Sequence, residues 1–154
     1  MARGKKQASL KYPALHELIQ DLHPGTLASA WFNDNGDNEK PIHEYQTHVM
    51  GSFRCTSRGC SGRRWTSGHV AILIRGFHGD GYDAVVFNQR CQKCRSLGIL
   101  TLDEGSYVER VAYRLKKWAG IELEVPIYSG NKVTKPHQSA LCEGCKQGYC
   151  HGQG

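Results

Sequence analysis

Two stretches of the chain space their apolar residues as an α-helix does. The first, PALHELIQDL at residues 13–22, begins with a proline that suits a first helical turn, and the residues at 23–25, HPG, end it. The apolar positions that share one face are Leu15, Leu18, Ile19 and Leu22. The pattern predicts a short amphipathic helix near the N-terminus.

The second helical stretch is SYVERVAYRLKKWAG at residues 106–120. Ser106 and Glu109 have the spacing of a capping box, and Gly120 suits the C-terminal end. Lysines in the last turn complement the helix dipole. The apolar stripe consists of Val108, Val111, Ala112 and Leu115. This stretch predicts a capped amphipathic helix.

Strand patterns lie between and after the helices. Residues 65–75 and 82–89 are rich in β-branched and aromatic residues, and the glycine-rich segment GFHGDG separates them. They predict an antiparallel hairpin. Residues 121–125, IELEV, alternate strictly, and Pro126 makes the short strand expected there an edge strand. The fold expected is therefore a small α+β domain, with the hairpin, the capped helix and the short N-terminal helix as its parts.

The beginning of the chain differs in character. Residues 1–12 carry four cations and predict a mobile basic arm, and the polar segment NDNGDNEK at residues 33–40 predicts a loop. We therefore expect an N-terminal extension over residues 1–40, a domain over residues 41–151 and a tail over residues 152–154.

The composition indicates that a core alone does not stabilise this domain. Of the 154 residues, 39% are hydrophobic, 18 are glycine, and the mean hydropathy is −0.53. No apolar run is long enough for a membrane span, and the N-terminus has no secretory apolar segment. These features predict an intracellular protein of the cytoplasm or nucleus, where cysteines serve as metal ligands more often than as disulfides.

Two cysteine pairs bracket the predicted hairpin. Cys55 and Cys60 precede its first strand, and Cys91 and Cys94 follow its second. Antiparallel strands bring these outer ends together, so four sulfur ligands converge, which is the tetrahedral donor set that zinc prefers. The sequence therefore predicts a zinc site with zinc-ribbon knuckles.

The C-terminal segment supplies four further candidate ligands, which are His137, Cys142, Cys145 and Cys150. They suit a second, Cys3His site, which makes two zinc ions per chain. Three alternatives remain open. Cys142 and Cys145 could complete a site with one of the earlier pairs, Cys150 could be a free thiol, and His151 could replace His137.

The cysteine pattern does not favour catalysis. A catalytic zinc keeps an open position, whereas each predicted site has four ligands rich in sulfur. The zinc-deaminase signature is missing, and the zinc-protease pattern that His16 and Glu17 begin fails because Gln20 stands where a histidine is needed. We therefore expect structural zinc and no enzymatic activity.

The charge distribution points to a polyanionic partner. The formal net charge is +6, and no acidic residue occurs between Glu44 and Asp80. Aromatic residues are interleaved among the arginines of that interval, as in surfaces that bind single-stranded nucleic acid. The candidate contacts are Arg63, Arg64, Trp65 and Arg75.

Two other interpretations of these residues remain open. The cations could instead offset thiolate charge, and Trp65 could belong to the core. A protein-interaction or trafficking adaptor is the alternative function, with Trp31 and Phe32 as its candidate patch.

Several segments together resemble the 3CxxC-type zinc-finger family over residues 51–151. They are GSFRC at 51–55, Trp65, VAILIR at 70–75, QRCQKC at 89–94, SYVERVAYRLKKW at 106–118 and LCEGCKQGYC at 141–150. The ending looks most like fungal members. The first pair departs from the family pattern, being Cys-x4-Cys.

The resemblance implies zinc binding through the cysteine pairs, with His137 joined to the last pair. For function, the resemblance implies two different roles. The animal relatives include receptor-transporting proteins, which act on membrane receptors, and zygote-arrest proteins, which bind messenger RNA.

Overall fold

The computed structural model describes residues 7–23, 25–60, 63–120 and 141–146, with residues 145 and 146 described without their side chains. The strands are β1 Ser9–Leu10, β2 Trp31–Phe32, β3 His43–Arg54, β4 Arg64–Gly76, β5 Gly81–Phe87 and β6 Ile99–Leu102. The α-helices are α1 His16–Leu22, α2 Glu104–Trp118 and α3 Glu143–Lys146. Short 3-10 turns occupy Pro13–Leu15, Gly36–Asn38 and His78–Asp80. The strand predicted at residues 121–125 lies outside the described residues.

The described strands form one mostly antiparallel sheet in the order β1-β5-β4-β3-β6, and β2 pairs with β5 in parallel. The predicted hairpin is confirmed as β4 and β5, which pair Ile72 with Val86 and Ile74 with Ala84. The sequence did not predict β3, although it is among the longest strands described. Its residues HEYQTHVMGSFR bury only Val49, Gly51 and Phe53, so the apolar signal of a strand is weak.

The inner face of the sheet packs against α1 and α2. Its buried residues come from alternate positions of the strands, because successive side chains of a strand point to opposite faces. A bulge lies between β3 and β4, where Val49 pairs with Val70 and Gly51 pairs with Ser67, so that β4 contains one extra residue. The outer face carries a smaller cluster of Ala71, Leu73, Phe87 and Cys142.

Helix α2 begins earlier than the sequence predicts. Asp103 is its N-cap and accepts a hydrogen bond from the Ser106 amide at 3.2 Å, so the predicted cap at Ser106 is wrong. The Ser106 hydroxyl instead accepts a hydrogen bond from the Met50 amide at 3.0 Å. Sequence spacing could not reveal this role, since the bond joins the helix to a strand that is distant in the chain.

The N-terminal helix forms as predicted, but its buried face is narrower. Leu15 and Ile19 are buried, whereas Leu18 and Leu22 are 44% and 47% exposed. The helix lies at the edge of the core, where one row of side chains reaches α2 and the sheet.

Two strands within the expected N-terminal extension, at residues 9–10 and 31–32, belong to the same sheet as the hairpin. Both β1 and β2 pair with β5, and Lys11 lies 3.2 Å from a carboxylate oxygen of Asp83. Asp83 is fully buried and also binds Arg75. A buried carboxylate requires such cationic partners, so the first strand is tied to the domain.

Within the described ranges, no helix combines the length and apolar character needed to cross a membrane.

Candidate metal centre

Two loops carry the first four cysteines to one end of the sheet. Cys55 directly follows β3 and Cys60 lies in the loop before β4, whereas Cys91 and Cys94 lie after β5. Since β3 ends, β4 begins and β5 ends at the same end of the sheet, the two loops meet there. The convergence predicted from the hairpin is confirmed.

The four sulfurs form a compact cluster. All four lie within 4.8 Å of one another, with Cys55 Sγ 3.3 Å from Cys94 Sγ and Cys60 Sγ 3.9 Å from Cys91 Sγ. A tetrahedral zinc thiolate site places its sulfurs about 3.8 Å apart, given Zn–S bonds of about 2.3 Å. The cluster therefore has the donor set and the size of a Zn(Cys)4 site.

The first loop is shaped by its backbone. The Cys55 amide donates to the Arg63 carbonyl at 2.7 Å, and the Cys60 amide donates to the Ser57 carbonyl at 3.1 Å. Gly59 has a φ of +85°, which residues with a Cβ rarely adopt. This glycine allows the Cys-x4-Cys spacing to close as a knuckle.

The second loop is a tighter turn. The Cys91 amide donates to the Ser96 carbonyl at 2.8 Å, and the Arg95 amide donates to the Cys91 carbonyl at 2.8 Å. The Ser96 hydroxyl lies 3.2 Å from the hydroxyl of Ser57 in the first loop. This contact joins the two knuckles directly, outside the metal ligands.

The thiols differ in their acidity before a metal binds. Burial raises the pKa of Cys55 to about 12, whereas hydrogen bonds from Ser96 lower the pKa of Cys94 to about 6. Zinc binds thiolates, so its binding must displace the proton that burial holds on Cys55. Cys94 is also the exposed member of the cluster, whereas Cys55 and Cys91 are buried.

An aromatic stack and two side-chain hydrogen bonds connect the strands next to the cluster. Trp65 stacks on Phe53 with ring centroids 5.1 Å apart, and its Nε1 donates to Gln89 Oε1 at 3.1 Å. Gln89 Nε2 donates to Ser67 Oγ at 3.1 Å. These contacts tie β3 and β4 to the segment that leads into Cys91.

The second predicted site is only partly described. His137, Cys150 and the side chain of Cys145 lie outside the described residues, so a second zinc ion remains a prediction. Cys142 is buried among Ala71, Leu73 and Phe87 on the outer face of the sheet. The alternative in which Cys142 completes a site with an earlier pair is not adopted, because the two earlier pairs meet each other.

The candidate nucleic-acid contacts do not lie on one surface. Arg64 is exposed on the outer face, whereas Arg63 lies over the Trp65 ring at 5.3 Å and donates to Gln92. Trp65 is partly buried against the inner core, which agrees with the alternative interpretation that it belongs to the core.

Arg75 lies at the other end of β4, where it binds Asp83 and Asp37. The assignment of Arg75 to a nucleic-acid surface is therefore corrected. Its guanidinium is bound to carboxylates, and its side chain is only 13% exposed.

The sequence did not predict that Arg64, one of the candidate contacts, faces a second exposed arginine. Arg54 lies directly opposite Arg64, and both border a groove of about 660 Å³ on the outer face. The groove is also lined by Ser52, Phe53, Trp65, Thr66, Ile99 and Thr101. The pairing depends on the β3–β4 register, which a weakly apolar strand does not reveal.

Comparison with known proteins agrees with this centre. A model of the 3CxxC zinc-ribbon family, described as a zinc-binding domain, matches residues 48–148. None of the curated proteins and none of the solved structures matches the chain. The matched range contains all four clustered cysteines and most of the sheet. The chain belongs to the 3CxxC zinc-ribbon family of zinc-binding domains.

Proposed function

We propose that this zinc domain is a binding module for single-stranded RNA. The observation that carries the proposal is an excess of cations around the metal centre. Six basic residues belong to the two metal-binding loops and the adjoining strand ends: Arg54, Arg58, Arg63, Arg64, Lys93 and Arg95. Among the described residues, none of the six has a carboxylate partner.

Neutralisation of thiolates does not account for all of these cations. A zinc ion with four thiolates carries a net charge of about −2, which two cations offset. Four cations then remain at this end of the sheet, and of the six only Arg63 is partly buried rather than exposed. An exposed cationic surface of this kind favours a polyanion and accelerates its association.

The proposed role of the zinc is structural. Four thiolates fill the tetrahedral coordination that zinc adopts in structural sites and leave no position for a reacting water. A binding role is therefore a better proposal than an enzymatic one. The residues that would hold the metal are Cys55, Cys60, Cys91 and Cys94.

The test is binding of the zinc-loaded chain to a short unstructured oligouridine, followed by fluorescence anisotropy. We expect the affinity to fall steeply between about 50 and about 200 mM salt, because released counterions drive phosphate binding. The double variant Arg58→Gln/Lys93→Gln should bind more weakly, since it removes two exposed cations from the metal loops.

The control Lys40→Gln/Lys117→Gln removes the same charge from sites outside the metal loops. It should change the affinity less than the metal-loop variant does. Absence of binding even at low salt, or binding that ignores salt, would contradict the proposal.

A protein-interaction module is the second candidate, and a different surface favours it. Trp31 and Ile42 are 44% and 47% exposed at the end of the sheet away from the metal. Ile42 borders a cavity of about 250 Å³ that Phe77 and Trp118 also line. Phe32, the other member of the predicted patch, instead packs against Tyr82 in the core. Binding through this surface would depend little on salt and would weaken in Trp31→Ala.

A further inference from the structure

Two arginines face each other on the outer surface of the sheet. Arg54 of β3 and Arg64 of β4 are direct cross-strand partners, and both side chains are exposed. Like charges at directly opposed positions destabilise a sheet. A pair of this kind costs stability unless an anion lies between the two guanidinium groups.

Hydroxyl groups form the next row on the same face. Ser52 pairs with Thr66 on one side and with Thr101 of β6 on the other. These three residues and both arginines line the groove of about 660 Å³, whose lining contains no acidic residue among those described. The groove therefore combines two exposed cations with three hydroxyl groups.

The direction of the arginine side chains is set by their neighbours. Phe53 and Trp65, also direct partners, pack on the inner side of the sheet, and successive side chains of a strand alternate between faces. Arg54 and Arg64 must then point outward. Arg54 is therefore exposed on the outer face, whereas Cys55, the next residue, is buried in the sulfur cluster.

Arg75 shows how the fold accommodates an arginine that has a protein partner. Its cross-strand neighbour on β5 is Asp83, which accepts its hydrogen bonds. Arg54 and Arg64 have no such carboxylate among the described residues. An anion that binds them would therefore not be a carboxylate of the described residues.

We propose that Arg54 and Arg64, with the hydroxyls of Ser52, Thr66 and Thr101, form a phosphate-binding site. Guanidinium forks donate paired hydrogen bonds to phosphate oxygens, and hydroxyls donate single ones. The ligand is a phosphodiester group of single-stranded RNA. That identity rests on the proposed function, whereas the affinity for phosphate rests on the groove alone.

The first experiment uses inorganic phosphate as the probe and thermal unfolding of the zinc-loaded chain as the readout. Chloride is adjusted so that ionic strength stays constant. Phosphate should raise the melting temperature of the wild type and leave that of Arg54→Gln/Arg64→Gln unchanged. Without phosphate, the double variant should melt no lower than the wild type, because the repulsion is removed.

Two further variants keep this test decisive. Arg64→Lys retains the positive charge but loses the paired N–H donors of the guanidinium group. Phosphate should therefore raise its melting temperature less than that of the wild type. Lys40→Gln/Lys117→Gln should respond to phosphate as the wild type does. Equal phosphate shifts in the wild type and in Arg54→Gln/Arg64→Gln would overturn the site.

The second experiment separates RNA from free phosphate as the source of the ligand. The slope of log affinity against log salt for oligouridine should fall by about one in Arg54→Gln/Arg64→Gln, because the single RNA phosphate that the two arginines share is left without its cations. RNA binding that this variant leaves unchanged would overturn the site while the proposed function stands. A phosphate shift specific to the wild type, without RNA binding, would support the site and refute the RNA function.

Discussion

Phe53 and Trp65 lie directly opposite each other on β3 and β4, with ring planes 10° apart and centroids separated by 5.1 Å. The stack fixes the register of the two strands immediately beside the metal centre. It also determines which side chains at this end of the sheet face solvent. Gly98 makes room for the indole, since a Cβ there would lie 2.9 Å from Trp65 Cη2.

Replacing Trp65 by alanine should destabilise the domain by about 3 kcal/mol, because it removes a large packed ring and its stack on Phe53. Denaturant unfolding of the zinc-loaded protein measures the change. Trp65→Phe is the matched control and should cost about 1–2 kcal/mol, since it keeps an aromatic ring but removes the hydrogen bond to Gln89. If the alanine variant were as stable as the wild type, Trp65 would not belong to the core.

Removal of zinc should unfold the region around the cluster, because zinc-binding energy is folding energy in small domains of this kind. Chelation should abolish the cooperative thermal transition measured by circular dichroism. Cys91→Ser should lower the zinc content measured by atomic emission. His69→Ala should leave the zinc content unchanged, because His69 is not one of the four clustered ligands. Native spectra in a fully chelated sample would contradict this role.

Asp83 should contribute more stability than Asp37, the other carboxylate that binds Arg75. Asp83 is fully buried against Arg75 and Lys11, whereas the side chain of Asp37 is 71% exposed. Asp83→Asn leaves two partly buried cations without their main partner and should cost about 3–5 kcal/mol. Asp37→Asn should cost less than about 1 kcal/mol. Denaturant unfolding compares the two variants, and equal losses would refute the ranking.

Stability should fall as the pH drops below about 6.5, in part because of His23. Burial and the nearby Lys116, whose Nζ lies 3.0 Å from His23 Nδ1, lower the pKa of His23 from its ordinary value of 6.5. The unfolded chain then takes up a proton at a higher pH than the folded chain does. The contribution of His23 to stability is complete at pH values above the pKa of the unfolded chain, and it is lost as the pH falls towards the lower pKa of the folded chain.

Melting temperatures of the wild type and His23→Gln between about pH 7.5 and about pH 5.5 test this expectation. The melting temperature of the variant should decline less than that of the wild type. The zinc content is measured at each pH, so that a decline caused by metal loss is not attributed to His23. Identical declines in the two proteins would assign the acid sensitivity to other groups, such as His16, whose pKa is lowered by burial.

The sequence by itself determined the main metal site. Cysteine spacing and the β4–β5 hairpin are local features, and antiparallel pairing brings the outer ends of such a hairpin together whatever the rest of the fold does. The sequence also predicted the apolar stripe of α2. The structure confirms it, because Val108, Val111, Ala112 and Leu115 are all buried. The structural character proposed for the zinc follows from the number of thiolates.

The tertiary structure decided which basic and aromatic residues remain exposed. The sequence groups Trp65, Arg63, Arg64 and Arg75 as candidate contacts of one surface. The register and the bulge between β3 and β4 place them in different surroundings. Trp65 enters the core and Arg75 meets Asp83, a residue on the adjacent strand. Arg54 meets Arg64 only because β3 pairs in this register. A shift of one residue would move every side chain of a strand to the other face, and residue spacing alone does not specify that register.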